Sequence, residues 1–224
     1  MTRRTNATIA GIAYLVYIAA AFPSMVLSNR ATSGDGMAAK LANMALHATD
    51  VRLAAVLSLI GCFCALVLAV TLYAITREQD RDLAMLGLTC RVAEGVVGAA
   101  SVPTTLGLLA VAMATGTSAL DPAAIGALGT FVLSQTWLIG ATFFAVGSTI
   151  FSWLLLRGRV VPEWLAALGV IGSALIALGL PLQILDLLQG LITQLMWIPV
   201  AAFELVVAVW LIVKGVATPQ PEAR

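Results

Sequence analysis

Three ionisable residues stand inside apolar stretches of this chain: Arg91, Glu94 and Glu204. An arginine and a glutamate three residues apart on a helix share one face, where they can form an ion pair. Charged side chains are costly inside a lipid bilayer, so they usually face the interior of a bundle and mark ion or proton paths. One arginine against two carboxylates leaves one negative charge, which a proton or a bound cation would neutralise. The three residues are therefore candidates for lining a path for a small solute or for protons.

Depth along the chain puts these three residues near one level of the membrane. Glu94 lies about 16 Å of helix beyond Leu83, and Glu204 lies about 15 Å before Lys214. We expect Arg91 and Glu204 to form a facing pair that joins the third and sixth spans, with Glu94 beside them. The other interpretation is an ionic cluster that only holds these two helices together.

A second polar group is predicted at the external ends of the helices. Its residues either line a mouth or a shallow active site or are ordinary interfacial polarity, and the sequence leaves both interpretations open. The group contains His47, Asp50, Arg52, Gln183 and Asp186.

Cofactor-binding patterns are absent from the sequence. The chain has one histidine, and its three cysteines form no CxxC pair and lie in apolar segments, where a thiol behaves as a small hydrophobe. No nucleotide-binding glycine loop occurs in a strand–helix setting. We therefore expect no catalytic residue, no metal site and no haem, flavin or other cofactor.

The amino-acid composition indicates that the segments carrying these ionisable residues lie in a membrane. Of the 224 residues, 61% are hydrophobic and only 10% are charged, whereas a soluble domain carries about 25% charged residues. The apolar runs are long enough to cross a hydrocarbon core of ~30 Å. With a net charge of +1 and no basic patch, we expect a lipid bilayer and no nucleic acid as partner. A homo-oligomer or an unknown membrane partner stays open.

The pattern predicts an all-α membrane protein, a bundle of about six transmembrane helices with one amphipathic external helix. The amphipathic helix begins at Met37, where apolar and polar stripes recur at spacings of three and four. Residues 122–156 would form a helix of about 50 Å, so we expect a break or a short surface helix near residues 126–129. One domain covers residues 1–224, with spans at about 7–27, 51–75, 83–114, 132–156, 163–188 and 191–213.

Basic residues predict the orientation in the cell membrane. Six spans put both termini on one side, and a cytoplasmic N-terminus gives eight basic residues inside and three outside. We therefore predict cytoplasmic N- and C-termini. The five tryptophans lie mostly near predicted helix ends and are expected to be interfacial anchors. The internal basic residues are Arg3, Arg4, Arg77, Arg81, Arg157, Arg159, Lys214 and Arg224, and the external ones are Arg30, Lys40 and Arg52.

Three segments resemble a known family. They read DVRL at 50–53, LAMLGLTCRVAE at 83–94 and FELVVAVWLIVKG at 203–215. They are similar to the bacterial integral-membrane family known as domain of unknown function 4386 (DUF4386), and the similarity in layout covers nearly the whole chain. Asp50 departs from the pattern, because a glutamate several residues earlier is expected. The resemblance implies a multi-pass membrane protein and leaves its activity and ligands open.

Three functions fit the sequence. The first is permeation of a small solute or protons through the polar midplane cluster. The second is a structural or regulatory membrane subunit without its own site. The third is an intramembrane enzyme acting on a lipid-like substrate, which the lack of a nucleophile–base pair disfavours. A cavity touching Glu94 and Glu204 would favour the first, a dry bundle the second, and a pocket around Asp50 and Asp186 the third.

Overall fold

The protein is helical in every long element of the computed structural model, which describes residues 1–114 and 122–217. Six helical segments are long and apolar enough to cross a membrane: α1, α3, α4, α5, α6, and α7 with α8 taken together. This confirms the predicted all-α bundle, and the short helix after the first span is present as α2. The elements are α1 (Arg3–Ala31), α2 (Met37–Leu46), α3 (Ala48–Thr76), α4 (Arg81–Ala114), α5 (Pro122–Arg157), α6 (Glu163–Ile184), α7 (Leu191–Leu195) and α8 (Ile198–Val213).

Short polar residues fix where two of the helices start. The Thr2 hydroxyl accepts a hydrogen bond from the Thr5 backbone N–H at 3.1 Å and caps α1. The Asp80 carboxylate accepts one from the Leu83 N–H at 3.0 Å and caps α4. Each cap satisfies one of the backbone donors that the first turn of a helix leaves free.

Helix α5 corrects the predicted break near residues 126–129, because it runs without interruption from Pro122 to Arg157. Its first turns pack on protein instead of ending at the membrane edge. Ile125 belongs to the same buried cluster as Leu41 and Met44 of α2. Contact with α2 therefore stabilises the turns that exceed the thickness of the hydrocarbon core.

The six spans form a closed ring in the order of the sequence. Helix α1 packs against α3, α3 against α4, α4 against α5, α5 against α6, α6 against α8, and α8 against α1. Two glycines let α8 close the ring. A Cβ atom on Gly11 of α1 would lie 2.6 Å from the Ala208 carbonyl oxygen, and one on Gly172 of α6 would lie 2.8 Å from the Val200 nitrogen. Only a residue without a side chain permits backbones to approach so closely.

The two ends of the ring differ. At one end, Arg3 pairs with Glu78 on the turn after α3, and Arg157 Nη1 lies 3.5 Å from Asp80 Oδ2. We call this the basic end, and the opposite end, which carries α2, the α2 end. Large apolar side chains are exposed along the spans between them, as a lipid-facing surface requires. They include Ile12, Phe63, Val96, Ile139, Ile171 and Val209.

Candidate functional site

Arg91 of α4 is completely buried inside the ring. Its Nη1 lies 2.9 Å from Oε2 of Glu94, one turn later on the same helix. Its Cζ lies 5.7 Å from the ring centroid of Tyr17 on α1 and 5.0 Å from that of Phe144 on α5. A carboxylate and two aromatic rings therefore offset the cost of burying the guanidinium group.

Gly147 on α5 makes room for the Arg91 side chain. A Cβ atom on Gly147 would lie 3.2 Å from Cγ of Arg91 and 3.3 Å from its Cδ, which is tighter than ordinary packing. The apolar stem of the arginine therefore fills the space that this glycine leaves on the inner face of α5.

Glu94 is 8% exposed and has a different partner on each oxygen. Its Oε1 accepts a hydrogen bond of 3.0 Å from the Tyr17 hydroxyl, while its Oε2 faces Arg91. The contact with Arg91 is ionic and poorly aligned, because none of the three guanidinium nitrogens meets a hydrogen-bond acceptor in the described ranges. The Tyr17 bond crosses the inside of the ring, since α3 lies between α1 and α4 along its circumference.

Glu204 of α8 does not form the predicted facing pair with Arg91. It is 5% exposed and interacts electrostatically with Arg91 and Glu94, yet no ion pair within 4.0 Å joins it to Arg91 among the described residues. Its Oε1 has no hydrogen-bond partner among the residues that the structure describes. The prediction is wrong because α8 packs between α1 and α6, whereas α4 packs between α3 and α5.

Two glycines of α4, Gly95 and Gly98, pack closely against α3. A Cβ atom on Gly95 would lie 3.0 Å from the Cys62 carbonyl oxygen, and one on Gly98 would lie 2.9 Å from Cys62 Sγ. The close approach at these two glycines is therefore between α4 and α3.

A cavity of about 540 Å³ lies inside the ring, between the charged cluster and the α2 end. On α1, α4 and α8, its residues nearest the basic end are Tyr17, Glu94 and Glu204, so these side chains form its floor. Five of the six spans line it, through residues in the ranges 17–25, 57–65, 94–101, 137–144 and 197–204.

Aromatic rings and carboxylates dominate the chemistry of the cavity wall. The rings of Phe144 and Trp197 are stacked with centroids 6.0 Å apart, and Trp137 lies 6.5 Å from Trp197. Glu94 and Glu204 are the only formally charged residues among those described along the wall. Trp137 and Trp197, which we expected to be interfacial anchors, thus line the cavity.

Tight apolar packing closes the ring between the cluster and the basic end. This core contains Leu68, Phe151, Phe203 and Val207, each at most 2% exposed. Because these side chains come from α3, α5 and α8, the packing fills the ring from several sides. The cavity therefore ends at the charged cluster.

The predicted external polar group separates into local contacts. His47 Nδ1 lies 3.5 Å from Asp50 Oδ2, and Arg52 Nη2 lies 3.9 Å from Met113 Sδ. Gln183 of α6 makes a separate contact, with its Nε2 3.6 Å from the sulfur of Met196. Asp186 has a positive φ of 55° in the turn that ends α6. No ion pair or hydrogen bond between described residues joins the first three positions to the last two.

Tyr17 and Phe144 were missed by the sequence analysis. The signal for the tyrosine was its spacing, because Tyr14 and Tyr17 share one face of the first span and a phenol in lipid needs a hydrogen-bond partner. Nothing in the sequence distinguished Phe144 from the lipid-facing phenylalanines. Within residues 1–114 and 122–217, no group of three or more His, Cys, Asp or Glu side chains is arranged to hold a metal ion.

The sequence profile of the family described as Domain of unknown function (DUF4386) matches residues 9–215. Because the match covers most of the 224 residues, this chain belongs to that family, and the resemblance seen in the sequence is confirmed. Comparison with curated proteins and with solved structures gave no match. With its six apolar spans, the chain is a multi-pass membrane protein of unknown activity.

Proposed function

We propose that this protein is a transport protein that moves a small solute or protons through the centre of its helix ring. The observation that carries the proposal is the cavity of about 540 Å³ whose floor is formed by Glu94 and Glu204. Buried ionisable groups facing a cavity in a membrane protein mark substrate and ion paths. A structural subunit has no need of such a cavity, and the separated Asp50 and Asp186 give an enzyme no common site.

Orientation follows from the distribution of basic residues along the sequence. Eight of them belong to the termini and turns on the side of the basic end and three to segments on the side of the α2 end, so the basic end faces the cytoplasm. The cavity then opens towards the outside of the cell membrane. The apolar core around Leu68 and Val207 forms the inner barrier.

Transport requires this inner barrier to open. The cluster of Arg91, Glu94 and Glu204 sits at the boundary between the cavity and the barrier, so a change in its charge acts on both. Glu204 is the variable member, because Glu94 already pairs with Arg91 and Tyr17. Neutralisation of Glu204 by a proton or a ligand is therefore the event that couples binding to opening.

Cysteine accessibility tests the proposal. In a background with Cys62, Cys64 and Cys90 replaced by alanine, single cysteines replace Ser58 in the cavity wall or Val207 in the inner barrier. Right-side-out and inside-out vesicles are treated with a membrane-impermeant methanethiosulfonate reagent. We expect Ser58→Cys to react from outside, and both positions to react from inside in the fraction of molecules whose barrier is open.

Phe63→Cys is the matched control, because Phe63 is 67% exposed on the outer face of α3 and should react from neither side. Transport is contradicted if Ser58→Cys reacts only from one side at every exposure time, or from neither. Reconstituted vesicles containing a pH-sensitive dye then separate the two cargoes. An inward proton current under an imposed membrane potential, lost in Glu204→Gln, indicates protons, and its absence indicates a solute.

A further inference from the structure

We infer that the ligand of the central cavity is a small organic cation, with its charged group against Glu204 and its apolar body among the aromatic rings nearer the α2 end. The inference rests on the transport function proposed above and names the class of solute. It follows from the charge of the cavity floor, from the unsatisfied atom on Glu204 and from the composition of the wall.

The floor of the cavity carries a surplus of negative charge. Arg91 does not line the cavity, and it already faces Glu94 and the rings of Tyr17 and Phe144. Its positive charge is therefore engaged away from the cavity. The second carboxylate, Glu204, has no ion pair in the described chain and favours a positively charged ligand.

Glu204 is also a buried carboxylate that lacks compensation from the described residues. The residue is 5% exposed, it lines the cavity, and its Oε1 has no partner in the ranges that the structure describes. Burying an acceptor without a partner is costly, and a buried carboxylate needs a compensating charge. An ammonium group bound in the cavity beside this carboxylate would supply that charge.

The wall suits an organic cation better than a metal ion. Hard cations require several oxygen ligands, chiefly carboxylates, but the described wall supplies only two carboxylates, one of which already pairs with Arg91. Ser24 donates to the Ala54 carbonyl at 3.1 Å and lies 3.0 Å from the Ser58 hydroxyl, while Ser101 donates to the Gly98 carbonyl at 2.7 Å. The hydrogens of these hydroxyls are therefore engaged, and no third acidic side chain of the described wall completes a metal site.

The aromatic side chains supply the complementary surface for the rest of the ligand. Phe144, Trp137 and Trp197 form a contiguous group along the wall, and aromatic rings of this kind pack against the apolar body of a small ligand. The volume of about 540 Å³ matches pockets that bind small organic molecules.

The test compares probes of similar shape and different charge. The full-length protein in lipid nanodiscs is titrated calorimetrically with phenyltrimethylammonium, its neutral isostere tert-butylbenzene and the anion benzenesulfonate. Empty nanodiscs correct for partition into lipid. We expect the cation to bind more tightly than the neutral probe and the anion not to bind. Glu204→Gln should weaken cation binding by roughly tenfold or more, since a desolvated charged contact is lost.

Two further variants keep the test decisive if Glu204→Gln is unstable. Gly140 lines the cavity, and a Cβ atom there meets its nearest neighbour, Val97 Cγ1, at 3.9 Å. Gly140→Leu should therefore fold, fill part of the cavity and abolish binding of the cation. Glu163→Gln, at an exposed glutamate paired with Arg159 at the basic end, should leave binding unchanged.

Each remaining outcome overturns the inference. Equal affinity for the cation and the neutral probe, or undiminished cation binding in a folded Glu204→Gln protein, would assign the cavity to an uncharged solute. If no probe binds at millimolar concentration, the organic cation class is wrong, whereas the cysteine accessibility result decides independently whether the protein transports. Tight binding of benzenesulfonate would reverse the sign of the charge recognised.

Discussion

At the residue scale, the buried Arg91 dominates the energetics of the site. Its ionic partner within 4.0 Å is Glu94, on the same helix, and the rings of Tyr17 and Phe144 cover it. Glu204 is equally buried but contributes charge without a direct contact. The two glutamates therefore have different surroundings: Glu94 pairs with Arg91 and Tyr17, whereas Glu204 lines the cavity in which we propose that a ligand binds.

The first prediction separates these roles by the same substitution at both positions. Glu94→Gln should lower the free energy of unfolding by about 3–5 kcal/mol, because it leaves a buried arginine without its counter-charge. Glu204→Gln should leave it unchanged or raise it, because the substitution removes a buried charge that has no direct partner. Unfolding titrations in mixed micelles measure both values. Equal losses would contradict the assignment of Glu94 as the partner of Arg91.

The second prediction concerns the hydrogen bond across the ring. Tyr17→Phe keeps the aromatic ring over Arg91 and removes only the hydroxyl that donates to Glu94. The loss of a hydrogen bond to a charged group should cost about 1.5–3 kcal/mol of unfolding free energy. Tyr73→Phe is the control, since Tyr73 lies away from the cluster. When Glu94 is already glutamine, the cost of Tyr17→Phe should fall to about 0.5–1.5 kcal/mol, because the amide oxygen accepts only a neutral hydrogen bond. Strict additivity would rule out the bond.

At the element scale, hydropathy predicted the six spans because a bilayer requires long uninterrupted apolar segments. The pattern also predicted α2, because its apolar and polar residues recur on separate faces, whereas the neighbouring spans are apolar on all sides. Which spans meet could not be predicted, because every membrane helix presents similar apolar surface to lipid and to its neighbours. The expected Arg91–Glu204 pair failed for this reason. Depth was inferred from sequence, but the position of α8 in the ring depends on backbone contacts at Gly11 and Gly172.

The third prediction tests how α8 closes the ring. Gly172→Ala puts a methyl group 2.8 Å from the Val200 nitrogen, a backbone atom that moves only with the helix. The substitution should therefore lower the free energy of unfolding by about 1–3 kcal/mol. Gly107→Ala in α4 is the matched control, since no atom lies within 4 Å of the position its methyl group would take, and it should be neutral or slightly stabilising. Similar effects at both glycines would contradict close packing of α6 on α8.

At the scale of the whole molecule, the ring is asymmetric from end to end. The basic end combines ion pairs with a tightly packed apolar core, whereas the cavity occupies the half nearer the α2 end. The charged cluster lies where these two halves meet. Under the proposed transport function, the orientation in the membrane decides from which side a solute enters.

The last prediction fixes that orientation. Positively charged residues near span ends are retained on the cytoplasmic side, and the termini and turns on the side of the basic end contain eight of the twelve basic residues of the sequence. Reporter fusions after Arg81, after Arg159 and at the C-terminus should therefore report a cytoplasmic location, and fusions after Asp35 and Gly190 an external one. An external C-terminus would contradict the prediction. The cavity would then open to the cytoplasm, and Ser58→Cys would react first from inside, which makes the reporter and labelling experiments independent checks of one orientation.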